Sequence, residues 1–190
     1  MTQPLAAVIL DSLAAPLDPE LDRVVGPGAA QRLRRELRGR ARRWVAAIAP
    51  DRAFEATTPG AALMALDGHG GPVILVAPDI PVLGDAHTAT VVADLGAGAD
   101  LIVGATHDAS AYLLAFALVD DELIELAGEG FTPLLAAASA RNLSVAIARH
   151  ERRLATVADA RALAADPLAA PELVQQLGNL RPAHARPSHR

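Results

Sequence analysis

Two aspartates stand at the ends of apolar runs, and both could work as charged ligands. The first is Asp79, where the run Val73–Ala77 stops abruptly in Pro78-Asp79-Ile80-Pro81. The second is Asp108, where Leu101–Gly104 runs into Ala105-Thr106-His107-Asp108 before extended structure resumes at Ala111. In open α/β sheets, ligands gather beyond the carboxyl ends of the strands. If the two strands lie near one another, both carboxylates sit on that edge. Paired carboxylates are costly unless a cation or proton lies between them, which points to a divalent metal held by Asp79 and Asp108. Such a cation would also neutralise charge on the leaving phosphate of a nucleotide, so the same two residues are the candidate catalytic pair. The plain alternative is that Asp79 only caps a turn or the following helix.

The elements that would carry these residues follow from periodicity. Apolar runs predict strands at Ala6–Leu10, Ala53–Ala56, Val73–Ala77, Leu101–Gly104, Ala111–Leu118 and Leu143–Ala148. Ala/Leu-rich stretches between them predict helices, the clearest being Ala29–Ile48, where Leu33, Leu37, Ala41, Trp44, Val45 and Ile48 form one stripe. Others are expected at Gly60–Leu66, Asp85–Leu95, Asp121–Leu126, Pro133–Ala140, Val157–Ala164 and Pro171–Leu177. Alternation of this kind reads as an α/β domain around a largely parallel sheet. Leu13–Gly28, broken by Pro16, Pro19, Gly26, Pro27 and Gly28, reads as a long loop, either functional or a tolerated insertion. One domain over residues 1–180 and a disordered tail over 181–190 complete the layout.

Composition narrows the chemistry. With no cysteine, thiolate metal sites, disulfides and a cysteine nucleophile are excluded, and a metal site built from oxygen ligands and imidazole favours a hard cation such as Mg2+ or Mn2+. All 17 basic residues are arginine, so lysine chemistry is excluded too. A formal charge of −5 and few aromatic residues argue against a nucleic-acid partner. The lack of a membrane-length apolar run or a secretory layout predicts a cytoplasmic protein without a membrane partner. Seven arginines fall between Arg32 and Arg43; they read as a solvated helix face or as a phosphate-binding one. The turn Gly26-Pro27-Gly28 at the start of that helix could hold an anion. His107 is a candidate ligand or proton carrier, and more simply a loop residue. The Ala/Leu-rich surface can support a homodimer.

Residues Val73–Leu114 resemble the central segment of the bacterial glycosyltransferase-like family known as selenodomain-associated transferases. The matching residues are Asp79, Pro81 and Leu83 of an Asp-x-Pro turn, then Gly104, Asp108, Tyr112 and Leu113 of a strand and an Asp-Gly-Gly-Tyr-Tyr-Leu motif. A weaker similarity to 2-phospho-lactate guanylyltransferase rests on the Asp-x-Pro turn. The resemblance implies a GT-A-like three-layer sandwich that binds a nucleotide or nucleotide-sugar with a divalent cation and transfers a glycosyl or nucleotidyl group. It also implies nucleotide contacts from Gly28 and Arg32, in place of the family's Pro-Gly-x-x-Lys-Thr-Arg-Leu loop, and from Tyr112 beside the cleft. The departures are marked. Ala109, Ser110 and Ala111 replace Gly-Gly-Tyr, and the phosphate loop is one residue short and lacks lysine. The Asp-x-Asp-Thr-x-x-Asp-Leu pattern survives only as Thr156, Asp159 and Leu163, with Ala155 where a carboxylate is expected. A fold kept for binding or structure after loss of turnover is therefore the alternative.

Overall fold

The computed structural model describes residues 4–180, and the tail expected at 181–190 lies outside the described residues. Its elements are β1 (Ala6–Leu10), α1 (Pro19–Val25), α2 (Ala29–Ile48), β2 (Ala53–Ala56), α3 (Pro59–Ala65), β3 (Val73–Val76) and α4 (Asp85–Gly96). There follow β4 (Leu101–Thr106), β5 (Ala111–Phe116), α5 (Asp121–Glu125), α6 (Phe131–Ala140), β6 (Val145–Glu151), α7 (Val157–Ala165) and α8 (Pro171–Gln176).

The strands form one sheet in the order β2-β1-β3-β5-β4-β6. Pairing is parallel for β1 with β2 and β3 and for β4 with β6, while β5 runs antiparallel to both its neighbours. Five strands therefore point the same way and end on one edge. Strands β1, β3, β4 and β5 are buried along their whole length. A strand buried on both faces needs a cover on each, so the architecture is helix, sheet, helix. Helix α2 packs on β1 and β2, and α4 on β4 and β6. The α2 stripe is buried as its spacing predicts, although Leu33 and Leu37 join a second apolar cluster with Leu21, Leu154, Leu163 and Leu173 rather than the sheet core. Among the described residues no helix is long and apolar enough to cross a membrane.

The loop expected over Leu13–Gly28 is corrected: it contains α1. Asp18 caps the helix by accepting from the Glu20 backbone N–H at 2.8 Å, Pro19 opens it, and Gly26 closes it at φ 117°. The residues read as breakers are a start and a stop, because proline lacks only an N–H that the first turn cannot use and glycine tolerates positive φ.

Candidate functional site

The carboxyl edge gathers the Leu13–Pro16 segment after β1, Asp79 after β3, the β4–β5 turn with Asp108, and Arg153 just beyond β6. Asp79 sits in a turn whose backbone is tied on both sides. Ala77 donates its N–H to the Tyr112 carbonyl at 2.7 Å, and Leu154 donates to the Asp79 carbonyl at 3.0 Å. The Asp79 side chain is buried, and its Oδ2 accepts from the Ala15 backbone N–H at 2.9 Å and from Arg153 Nη1 at 3.2 Å. Its Oδ1 is buried with no hydrogen-bond partner among the described residues.

Asp108 is organised differently. Its Oδ1 accepts from the Thr106 hydroxyl, from Ser110 Oγ at 2.6 Å and from the Ser110 backbone N–H at 3.2 Å. Its Oδ2 lies 3.4 Å from Arg153 Nε, an ion pair without hydrogen-bond geometry. The turn is closed by Thr106 N–H donating to the Ser110 carbonyl at 2.8 Å, and Ala109 takes φ 60°. Ala109 thus adopts a left-handed conformation that glycine would occupy with less strain.

Strand β5 separates β3 from β4, so the two aspartates do not lie on neighbouring strands. What joins them is the Arg153 guanidinium. Nη1 donates to Asp79 Oδ2 and to the Leu13 carbonyl at 3.2 Å, and Nη2 donates to the Ser110 hydroxyl and to Thr106 Oγ1 at 3.4 Å. With Nε facing Asp108, every edge of this planar five-donor group faces a protein oxygen. The side chain is only 6% exposed. A divalent cation placed on the same two carboxylates would have to displace this buried guanidinium or sit against its charge. The donor set does not fit Mg2+ or Mn2+.

Burial pushes the Asp79 carboxyl above its ordinary value of 3.8, and the Arg153 guanidinium only partly offsets this. For Asp108, burial also acts upward, but hydrogen bonds from Ser110 and Thr106, with the nearby guanidinium, prevail and hold it below that value. The stability contributed by protonated Asp79 is complete below its ordinary value and is lost as pH rises through the raised one. Asp79→Asn, which cannot ionise, is therefore expected to gain stability relative to the wild type as pH rises from about 4 through the raised Asp79 value. Urea midpoints of both proteins across that range check this, and a difference moving the other way would mean that the ion pair outweighs desolvation.

Two clefts open beside these groups and share Ala15 and Pro16 as a common wall. The first, about 360 Å³, is lined by Asp11, Arg34, Arg38, Pro78 and Asp79. The second, about 340 Å³, is lined by His107, Asp108, Arg152, Arg153, Thr156 and Asp159. Arg38 is paired with Asp11 and with Glu55, but Arg34 donates to the Ala15 carbonyl at 3.0 Å and, among the described residues, reaches a carboxylate only at longer range, through its charge on Asp79.

The remaining predicted contacts fall elsewhere. Gly28 and Arg32 line neither cleft; they start α2, with Arg32 Nη1 turned back to the Pro27 carbonyl at 3.4 Å. One helical turn places Arg34 and Arg38 on the cleft side instead. Tyr112 is fully buried, its ring against Gly104 and its hydroxyl donating to the Arg149 carbonyl at 3.1 Å. Thr156 and Asp159 form the capping box of α7, and Asp159 also accepts from Arg152 Nη1 at 3.2 Å. Sequence reasoning missed Arg153 and Arg34. A signal existed for the first: aligned on Thr156 and Asp159, the leading aspartate of the Asp-x-Asp-Thr-x-x-Asp pattern falls on Arg153.

The fold has a counterpart among solved structures. A provisionally named nucleotide-diphospho-sugar transferase from Desulfovibrio desulfuricans superposes with a TM-score of 0.73 at 18% identity, over 95% of this chain and 98% of that one. The chain shares the fold of that protein. The Mycobacterium tuberculosis protein Rv0371c, in a complex with manganese, aligns over 85% of this chain and 98% of its own at 14% identity and a TM-score of 0.46. No family model and no curated protein matches the chain.

Proposed function

We propose that the chain binds a nucleotide or nucleotide-sugar across the carboxyl edge of the sheet, with the phosphates in the cleft beside Arg34. The single observation that carries this is Arg34 itself, a guanidinium lining the same cleft as buried Asp79 whose hydrogen bond among the described residues goes to a backbone carbonyl. An arginine in that setting has donors left for an anion, and planar guanidinium matches phosphate oxygens. The fold shared with the Desulfovibrio protein and the likeness of Val73–Leu114 to selenodomain-associated transferases support a nucleotide as the carrier of that phosphate.

A second reading, transfer of a glycosyl or nucleotidyl group, is favoured by the adjoining cleft. Two cavities with a common wall at Ala15 and Pro16 suit a donor on one side and an acceptor on the other, and Asp108 faces the second. The Asp108 carboxyl, held below its ordinary value, would stay ionised at neutral pH and orient an acceptor hydroxyl rather than take its proton readily.

Calorimetry with nucleoside diphosphates and nucleotide-sugars tests the first reading. Arg34→Ala is expected to weaken binding by about tenfold or more, the loss of a charge-assisted hydrogen bond of about 1.5–3 kcal/mol. Undiminished affinity in that variant removes Arg34 from the site. If no member of the panel binds the wild type, the proposal fails.

A further inference from the structure

The structure assigns to Arg153 the place of the site's cation: its guanidinium fills the position between Asp79 and Asp108 where a divalent ion would sit, so the nucleotide site works without one. This rests on the nucleotide reading above for what binds, but not for what occupies the space between the carboxylates.

Three observations converge. First, Arg153 touches both carboxylates, with Nη1 at 3.2 Å from Asp79 Oδ2 and Nε at 3.4 Å from Asp108 Oδ2. Second, its other donors reach the Leu13 carbonyl, Thr106 Oγ1 and Ser110 Oγ, so one side chain ties together the segments after β1, β3 and β4. A metal shared by these segments would do the same mechanical work through its coordination bonds. Third, the side chains of Arg153 and Asp79 are 6% and 5% exposed, so the guanidinium that stands between the carboxylates is buried together with the group it holds. Arginine suits the task because its charge persists at all relevant pH and its fork is rigid.

The gap at Asp79 Oδ1 does not reverse this. That oxygen is buried and unpartnered, but it belongs to the same carboxylate that the guanidinium already holds. An ion reaching it would stand next to a fixed positive charge. The phosphate-binding duty falls instead to Arg34, whose donors are not consumed by carboxylates. Arg153 is thus a positioning residue and a fixed counter-charge, and it is not expected to touch the ligand.

The test uses the full chain, stripped of metal. Mn2+ alone is titrated and followed by electron paramagnetic resonance, and UDP, GDP, ADP and CDP are titrated by calorimetry in EDTA and again in MnCl2. The wild type is expected to take up no Mn2+ below about millimolar concentration and to bind its preferred nucleotide equally, within about twofold, in both buffers. Arg153→Asp exchanges the fixed cation for a third carboxylate and is expected to bind Mn2+ at least about tenfold more tightly than the wild type. Mn2+ uptake by the wild type at micromolar concentration, or nucleotide binding abolished by EDTA and restored by Mn2+, overturns the assignment. So does a folded Arg153→Asp protein with no gain in Mn2+ affinity. If that variant does not fold, the two wild-type measurements decide alone. If no nucleotide binds in either buffer, the functional proposal falls while the Mn2+ titration still judges Arg153.

Discussion

Arg153→Met is expected to lower the stability of the chain by about 3–5 kcal/mol, the usual consequence of removing one partner from a buried ion pair. The carboxylate left behind is Asp79, whose side chain is 5% exposed and whose remaining hydrogen bond comes from Ala15. The Leu13 carbonyl and the Ser110 hydroxyl lose a donor at the same time. Against a typical total of about 5–15 kcal/mol, such a loss takes away a large fraction of the folding free energy. Arg153→Lys keeps a charge but not the planar fork, so it should recover only part of the loss. Urea denaturation of the three proteins measures both effects. A change below about 1 kcal/mol for methionine would show that the site is wetter than its burial indicates.

Gly104→Ala should produce the second large effect. A Cβ at this position would lie 2.7 Å from Cε1 and Cζ of Tyr112, closer than real Cβ contacts come. The ring cannot step aside, because Tyr112 is fully buried and its hydroxyl is held by the Arg149 carbonyl. Overpacking of this kind costs about 1–3 kcal/mol and sometimes more. The same substitution made in a Tyr112→Leu background should cost much less, since the three nearest atoms all belong to the Tyr112 side chain. A thermal-denaturation cycle over the four proteins reads the coupling directly. Equal losses in both backgrounds would place the strain in the strand backbone instead.

Most of the architecture was legible along the chain because burial imprints a local period. Runs such as Ala6–Leu10 and Ala53–Ala56 coincide with β1 and β2, and the α2 stripe gave both ends of that helix. Helix α1 was not legible, since Pro19 and Gly26 have opposite meanings inside a helix and at its ends. The aspartates were found at the correct strand ends, but what stands between them was not. The position of Arg153 depends on β6 pairing with β4, and the choice of Arg34 over Arg32 depends on how α2 lies against the segment after β1. Both are long-range relations that leave no local pattern. Survival of Thr156 and Asp159 also had a local cause, the capping of α7, which a motif comparison cannot separate from ligand binding.

The sheet ends on two open strands, and each is guarded against unwanted growth. At β2, Glu55 is gripped by Arg38 and Arg42 of α2. At β6, exposed Ile147 is followed by the solvent-facing charges and imidazole of Arg149, His150 and Arg152. A neighbouring molecule trying to extend the ladder there would have to bury charged side chains. Self-assembly by strand addition is thereby discouraged.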